Sequence, residues 1–284
     1  MTQPDVSLLR SETPPASRRA AQPSTPSTPL GAHAVASWAA PFALLAVWEV
    51  AARTGLIESS LLPAPSLVIA TAEHLIATGE LQQNLGASLR RAVTGFALGG
   101  TTGLGLGLLV GLSRWADVVF DRNIQMLRAV PFLAILPLVL VWFGVGEVGK
   151  IFLVALASLF PLYLNTVLGI RQVDPKLIEM CRVFGVSGLA LVRSAILPGA
   201  LPSILNGVRL GLTTSWLALV AAESIGAAAG IGVLATNARE FLQTDIMVLV
   251  IVLYALIGLA SDLLARRLER GLLGWHPNYA KARS

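Results

Sequence analysis

The segment Ala92–Leu112 reads AVTGFALGGTTGLGLGLLVGL and contains no charged residue. A helix of about 20 apolar residues spans the hydrocarbon core of a bilayer, which is about 30 Å thick. Five of its glycines recur at every fourth position, namely Gly95, Gly99, Gly103, Gly107 and Gly111. Since residues four apart share one face of a helix, we expect a second helix to pack closely against this strip without side chains.

Five other segments approach the same length and apolar character. These are Val35–Ala52, Ala129–Val145, Ile151–Ile170, Leu210–Ala229 and Ile246–Ala265. The composition agrees, because 55% of the 284 residues are hydrophobic and 13% are charged, about half the charged share of a soluble protein. We therefore predict an all-α, polytopic membrane protein with six transmembrane helices in a transmembrane domain at residues 35–270.

The third of the six predicted spans in chain order, Ala129–Val145, is the shortest. We expect its helix to begin earlier, near Asn123, and to be kinked by Pro131 and Pro137. Neighbouring helices can satisfy the carbonyl groups that a proline leaves free inside a bilayer. A bent transmembrane helix is therefore expected at this position.

Lysine and arginine residues are distributed unevenly between the two sides of this arrangement. If both termini lie in the cytoplasm, the inner tails and loops hold most of them, and the outer set is Arg53, Arg90, Arg91, Lys150 and Arg239. An excess of basic residues in cytoplasmic loops predicts an N-in, C-in topology. Arg90 and Arg91 oppose it locally, so we expect the stretch Ser66–Arg91 to form an interfacial segment along the outer surface.

The two ends of the chain are polar. Residues 1–34 contain six prolines among Ser, Thr and Gln, a composition that cannot bury enough apolar surface to offset the entropy of ordering. We predict a disordered cytoplasmic tail at 1–34 and a cytoplasmic C-terminal tail at 271–284. A cleaved signal peptide is the alternative for the first, but the first apolar run begins only near Val35 and no small-residue cleavage site precedes a polar mature chain.

Other motifs exclude several kinds of site. Residues Gly144–Lys150 match the first seven positions of the phosphate-binding pattern G-x-x-x-x-G-K-[ST], but Ile151 stands where a hydroxyl should hold magnesium. We interpret the match as chance and expect no cofactor on this chain. The single cysteine, Cys181, and three scattered histidines give no disulfide and no metal-ligand spacing. The basic residues lie between apolar segments, which favours membrane orientation over binding of nucleic acid.

The loop at residues 171–201, on the predicted cytoplasmic side, has the pattern of a rigid helical element. Asp174 can cap a helix whose first residue is Pro175, and Gly185 can end that helix in a left-handed conformation. An apolar stripe recurs along it at Leu177, Ile178, Cys181 and Phe184. Such a stripe requires a partner. We expect a second helix to begin at Ser187 and to end at Leu197-Pro198, before the fifth span.

The same loop resembles a family signature. Glu179-Met180-Cys181, three residues, Gly185, nine residues and then Ala195-Ile196-Leu197-Pro198 are similar to the E-A-A-x-x-x-G motif of inner-membrane subunits of ATP-binding-cassette importers, with both alanines replaced. The resemblance implies that this helix is the coupling helix, which inserts into a groove of a separate ATPase. The residues implied for coupling are Glu179, Met180, Cys181, Gly185, Leu197 and Pro198.

The resemblance extends from about Phe42 to Tyr279 and is strongest for the nitrate/sulfonate/taurine branch of these importers. The segments that carry it are Leu61–Ser66, Gln125–Pro131, Trp142–Gly144, Asn237–Asp245 and Trp275–Tyr279. Within the branch, the chain is most similar to permeases of aliphatic sulfonate importers, while relatives that carry taurine, nitrate or bicarbonate share much of this sequence. The resemblance implies a homodimer in the bacterial inner membrane, two ATPase subunits that hold ATP and magnesium, and an extracytoplasmic binding protein.

Polar residues inside predicted spans are candidates for the translocation path, because they are costly in lipid. Five of them can donate hydrogen bonds to a passing anion: Asn165, Thr213, Thr214, Ser215 and Trp216. The alternative for the hydroxyl groups is structural, since Ser and Thr often bond to carbonyl groups of their own helix.

Three charged residues near span ends have separate interpretations. Glu223, near the outer end of the fifth span, would repel a sulfonate, so we interpret it as part of a gate or as an ion-pair partner of Arg239. Arg128, at the inner end of the third span, is interpreted as an orientation anchor in preference to a ligand.

Two other classes of membrane protein have sequence features that differ from those of an ATP-driven permease. A secondary transporter typically has inverted repeats with broken helices, or buried carboxylates for ion coupling. A membrane-embedded enzyme needs clustered His, Asp or Glu within its spans. The sequence shows none of these, because Glu223 and Asp262 lie near span ends. We therefore expect a permease that translocates aliphatic sulfonates and catalyses no covalent chemistry itself.

Overall fold

The computed structural model describes residues 30–275, with side chains described from residue 39 onward. Most of the predicted tail at 1–34 and of the predicted tail at 271–284 lies outside the described residues. The chain divides into two compact units, residues 1–47 and 48–284. The described part of the first unit is the beginning of a helix that starts at Leu30, and everything that follows belongs to the second unit.

The described residues form helices joined by short connections and contain no strand. The helices in this part of the chain are α1 (Leu30–Arg53), α2 (Pro65–Ala77), α3 (Glu80–Leu112), α4 (Arg114–Arg128), α5 (Phe132–Phe143), α6 (Glu147–Arg171), α7 (Pro175–Val183), α8 (Gly188–Glu223), α9 (Ile231–Glu240) and α10 (Thr244–Leu272). Within the described chain, α3, α6, α8 and α10 are each long and apolar enough to cross a membrane. A fifth span is present if α4 and α5 count as one broken span.

The glycine strip of α3 packs against α6, as the sequence predicts. A Cβ added to Gly99 would lie 1.9 Å from the carbonyl oxygen of Ala155, and one added to Gly103 would lie 2.4 Å from that of Leu159. Residue numbers on the two helices rise together along this contact, so α3 and α6 run parallel. The backbones are too close for any larger residue on the strip.

Helix α8 packs antiparallel to α6 on another side. Gly169 of α6 lies opposite Ala200, and farther along α8 Gly207 lies opposite Asn165 and Pro161. Helices α3, α6 and α8 therefore form the centre of the bundle. We call the end of the bundle where α6 begins the Glu147 end and the end where α6 finishes the Arg171 end.

Helix α10 and the short helices α2 and α9 pack beside this centre. Helix α10 packs on α2, α8 and α9, around a core formed by Val68, Leu75, Leu81, Ile231, Leu234, Leu249 and Val250. Its first turn is fixed by a hydrogen bond of 2.7 Å from the Thr71 hydroxyl to the Asp245 carboxylate. At the other end of the bundle, Arg171 forms an ion pair with Asp117 of α4 at 2.5 Å.

The third predicted span is broken more sharply than a proline kink. Helix α4 begins at Arg114 instead of near Asn123, and its axis makes an angle of 96° with that of α5. The break lies at Ala129–Pro131, and Pro131 precedes the first turn of α5. Pro137 remains inside α5. A proline is tolerated before a first helical turn, where its missing N–H would have no partner.

Arg90 and Arg91 lie within α3, which is continuous from Glu80 to Leu112. The interfacial position of the stretch Ser66–Arg91 remains a prediction. One expectation about a helix end is wrong. Leu197-Pro198 does not end a helix, because α8 continues from Gly188 to Glu223. A wider π-helical turn precedes Pro198, in which the Leu197 N–H donates to the Val192 carbonyl five residues earlier. This turn accommodates the proline, which has no N–H of its own to donate.

Candidate functional site

Arg91 is a buried charged side chain at the Glu147 end, with an exposed fraction of 2%. Its Nε and Nη2 atoms donate to the two carboxylate oxygens of Glu147 at 2.7 and 2.6 Å. Its Nη1 atom donates to the Glu223 carboxylate at 2.7 Å and to the Ala229 carbonyl at 2.6 Å. One guanidinium thus binds Glu147 in the bidentate geometry that arginine favours and binds Glu223 through a third nitrogen.

The Glu223 carboxylate accepts hydrogen bonds from two further groups. The Ser88 hydroxyl lies 2.8 Å from both carboxylate oxygens, and the Gly232 N–H donates to one of them at 2.9 Å. A Cβ on Gly230 would lie 2.5 Å from the Glu223 carboxyl carbon, so residue 230 must be glycine for the carboxylate to fit.

The same residues fix the connection between α8 and α9. The Ser88 oxygen accepts from the Ile231 N–H at 2.8 Å, and the Asn84 side-chain oxygen accepts from the Gly230 N–H at 2.7 Å. We call Asn84, Ser88, Arg91, Glu147 and Glu223 the Arg91 cluster. It ties α3, α6, α8 and α9 together at one end of the bundle.

The predicted ion pair between Glu223 and Arg239 is replaced by this cluster. Glu223 is 1% exposed and bound to Arg91, whereas Arg239 is exposed on α9 and lines a surface groove with Thr236 and Tyr254. A gating role for Glu223 and Arg239 remains a prediction.

Sequence reasoning missed Arg91, although a signal was present. Asn84, Ser88, Arg91 and Gly95 are spaced by four, three and four residues, so they lie on the face of α3 that the glycine strip continues. An arginine on a face that packs against another helix requires a buried anion.

The segment Gly144–Lys150, which matches the phosphate-binding pattern in sequence, has a structure unsuited to nucleotide binding. Its lysine, Lys150, is buried in the first turn of α6, where its ammonium donates to the carbonyl groups of Val145 at 2.5 Å and Gly146 at 3.3 Å. The segment joins two helices, whereas a phosphate-binding loop follows a strand. The described residues also contain no group of His, Cys, Asp and Glu side chains that could hold a metal ion.

The five candidates for the translocation path do not share one surface. Asn165 and Thr214 line a groove of about 460 Å³ together with Arg128, which we call the Asn165 groove. Thr213 and Trp216 line another groove of about 790 Å³ on the side of α8 that faces α10. Ser215 lines neither groove and is buried, and its hydroxyl has no hydrogen-bond partner.

Most of these donors are already bonded within the protein. Thr213 donates to the Arg209 carbonyl of its own helix at 3.1 Å, and the Trp216 indole donates to Ser261 at 3.0 Å. Thr214 lies 2.9 Å from the Ala157 carbonyl. The Asn165 amide donates to the Pro161 carbonyl at 2.8 Å, and its oxygen accepts from Asn206 at 3.0 Å.

The predicted coupling residues lie at the Arg171 end. As expected, the Asp174 carboxylate caps α7 by accepting from the Lys176 N–H at 2.9 Å, and Gly185 has a φ of 79°. No residue of α7 is buried, Glu179 and Met180 are exposed, and Cys181 is partly exposed. Phe184 is 78% exposed just after the helix. Leu197 and Pro198 lie beyond the π-helical turn, within α8. The apolar stripe of α7 is therefore uncovered in the single chain.

Comparison with known proteins gives a consistent result. The sequence profile of the family described as binding-protein-dependent transport system inner membrane component matches residues 103–274. The putative aliphatic sulfonates transport permease protein SsuC of Escherichia coli (strain K12) is 53% identical over 245 residues, 86% of this chain and 93% of that protein. The protein of the same name from Bacillus subtilis (strain 168) is 43% identical over 239 residues, 84% of this chain and 87% of that protein. The taurine transport system permease protein TauC of E. coli is 37% identical over 241 residues, 82% of this chain and 86% of that protein.

Proposed function

Because the chain belongs to the family of binding-protein-dependent transport system inner membrane components, we propose that it is the permease subunit of an ATP-driven importer of aliphatic sulfonates. The observation that carries the substrate class is the 53% identity to the E. coli aliphatic sulfonates permease, across 93% of that protein. Identity to the taurine permease of the same organism is lower, at 37%. Family membership also makes the chain a multi-pass transport component of the inner membrane.

The proposed topology has six spans with both termini in the cytoplasm. Five of the spans are α3, the broken pair α4–α5, α6, α8 and α10, and α1 is the sixth, since its 24 residues extend about 36 Å. Basic side chains support this orientation. At the Arg171 end the exposed ones are Arg114, Arg122, Arg128, Arg171, Lys176, Arg182, Arg193, Arg266, Arg267 and Arg270.

The Glu147 end holds a smaller set of basic residues, and three of them have partners within the protein. Arg91 is bound to two carboxylates, Lys150 is buried against carbonyl groups, and Arg53 forms an ion pair with Glu49 at 2.5 Å. The positive charge that sets orientation therefore lies mainly at the Arg171 end. We assign that end to the cytoplasm.

The proposed assembly contains two copies of this chain, two ATPase subunits and an extracytoplasmic binding protein. The uncovered apolar stripe of α7 supports an ATPase contact, because an exposed apolar surface on a cytoplasmic helix marks a binding site. ATP and magnesium belong to the ATPase subunits in this proposal. The chain itself would bind neither.

The Asn165 groove is the proposed path for the anion. A sulfonate is a monoanion with three acceptor oxygens, and the groove offers the Asn165 amide, the Thr214 hydroxyl and the positive charge of Arg128. The rest of the lining is largely apolar, which suits an alkyl chain. A single arginine at the groove edge attracts the ion without the multiple contacts that would hold it and slow its release.

A secondary transporter is the second candidate, and two observations favour it. The chain has a broken helix, α4–α5, and a fully buried carboxylate, Glu223. A carboxylate that couples transport to protons must be able to lose its partner, whereas Glu223 is bound by Arg91, Ser88 and a backbone N–H. The structure therefore favours a structural role for Glu223.

Uptake competition tests the proposed substrate class. The permease and its ATPase subunit, reconstituted in vesicles with binding protein, should import radiolabelled ethanesulfonate. Unlabelled longer alkanesulfonates should compete for the carrier, and nitrate or bicarbonate should not. Efficient nitrate uptake without sulfonate uptake would contradict the assignment.

A further inference from the structure

The segment that joins α9 to α10 contains a leucine in a backbone conformation that normally requires glycine. Leu242 has a φ of 54°, and it is the one non-glycine residue with positive φ in the described part of the chain. The Leu242 N–H donates to the Arg239 carbonyl at 3.4 Å and the Gln243 N–H donates to the Ala238 carbonyl at 2.8 Å. This pair of bonds is the Schellman pattern, in which glycine usually follows the last helical turn.

The Leu242 side chain makes few packing contacts that would offset this strain. A Cβ in the left-handed region is crowded by the carbonyl oxygen that follows it. The side chain is nevertheless 83% exposed, and that of the adjacent Phe241 is 72% exposed. A strained residue that buries little surface in the free chain is a candidate for contact with another molecule.

Phe241 also lines a cleft of about 660 Å³ beside this turn. The cleft lies between α2, the beginning of α3, α9 and the beginning of α10, and its charged residues are Glu80 and Asp245. Asp245 is bonded to Thr71. Glu80 takes part in no ion pair among the described residues. The surface therefore combines two apolar side chains with negative charge.

We propose that Phe241, Leu242 and this cleft form the contact with the extracytoplasmic binding protein, which presents an apolar pocket to Leu242 and a basic side chain to Glu80. The inference rests on the proposed function, because it requires the Glu147 end to face outward. Apolar anchors beside a charged rim are the usual composition of a protein interface.

The outer leaflet of the membrane is the other possible contact for two exposed apolar side chains. Segments that insert into a bilayer surface are flanked by Lys and Arg, which attract anionic headgroups. Here one exposed arginine, Arg239, is outnumbered by the carboxylates of Glu80, Glu240 and Asp245. Negative charge favours a basic protein surface over a lipid surface.

The substitution Leu242→Gly separates docking from folding, because it removes the side chain and relieves the strain together. The permease–ATPase complex in lipid vesicles is titrated with purified sulfonate-binding protein loaded with ethanesulfonate, and ATP hydrolysis is measured. We expect the half-saturating concentration of binding protein to rise at least about tenfold, as for loss of an interface anchor. The melting temperature of the variant should equal or exceed that of the parent.

The control is Leu89→Ala, which removes an exposed leucine of α3 at the same end that does not line the cleft. It should leave the half-saturating concentration unchanged. An unchanged value for Leu242→Gly, or a lower melting temperature together with weaker binding, would overturn the proposal. The proposal would also be overturned if Leu242→Gly changed ATP hydrolysis in the absence of binding protein and the change depended on the anionic lipid content of the vesicles. Failure of the parent complex to respond to the binding protein would instead contradict the proposed function itself.

Discussion

At the scale of single residues, the Arg91 cluster and the Asn165 groove show how this chain handles polar groups inside a membrane. A buried charge is tolerated only when its partners compensate for lost hydration, and removal of one partner costs about 3–5 kcal/mol. Arg91 meets two carboxylates, and each oxygen of Glu223 has donors. The Asn165 groove is different, because Asn165, Thr214 and Arg128 line a cavity of about 460 Å³.

The first prediction concerns the buried pair. Arg91→Met should lower the free energy of unfolding by about 3–5 kcal/mol, because Glu223 loses its charged partner. Glu223→Gln in the same chain should recover part of the loss, since the isolated charge is then removed. Thermal unfolding in detergent measures both. If the double variant is no more stable than Arg91→Met, the two residues are not coupled as the structure indicates.

The second prediction concerns the path of the anion. Asn165→Ala with Thr214→Val should reduce sulfonate uptake at least about tenfold, because the groove loses two of the polar groups that line it. The matched control is Thr213→Val, one residue away on α8, which lines another groove. Uptake into vesicles at equal amounts of assembled complex distinguishes them. Equal loss in the control variant would remove the Asn165 groove from the path.

At the scale of helices, close packing of α3 on α6 and the exposed position of α7 decide the behaviour of the bundle. The α3–α6 contact depends on absent side chains, since added atoms would overlap backbone carbonyl groups. Helix α7 is capped by Asp174 and followed by Gly185 with positive φ, and it presents its apolar stripe outward.

The third prediction compares two glycines of α3. Gly99→Ala should destabilise the bundle by about 1–3 kcal/mol or more, because its Cβ would overlap the Ala155 carbonyl oxygen and α6 would have to move. Gly105→Ala is the matched control, since nothing lies within 4 Å of its added Cβ. The control should be neutral or slightly more stable. Thermal unfolding of both variants checks this, and equal stability of the two would contradict the packing.

The fourth prediction concerns the end of α7. Gly185→Val should uncouple ATP hydrolysis from transport without unfolding the spans, because a β-branched residue is strained at a φ of 79°. No atom lies within 4 Å of the added Cβ, so the effect is one of backbone strain and not of steric overlap. Gly185→Asn should be tolerated better, since Asn adopts this region more readily. Substrate-stimulated ATP hydrolysis at the parental level in the Val variant would exclude the role.

At the scale of the whole molecule, the sequence predicts the features that depend on local pattern. The helical class, the Asp174 cap, the left-handed Gly185 and the glycine strip of α3 follow from spacing and residue type alone. The Arg91 cluster does not, because Arg91 meets partners 56 and 132 residues away in the chain. The 96° break and the π-helical turn before Pro198 depend on how neighbouring helices pack around each proline.

The central claim is that this chain is a permease powered by a separate ATPase, and the energy source of uptake tests it most directly. Vesicles containing the permease, its ATPase subunit and external binding protein are loaded with ATP and magnesium, and ethanesulfonate uptake is followed with and without a protonophore and a sodium ionophore. We predict uptake that requires internal ATP and persists when proton and sodium gradients are abolished. Uptake by the chain alone, driven by an ion gradient without ATP, would contradict the account.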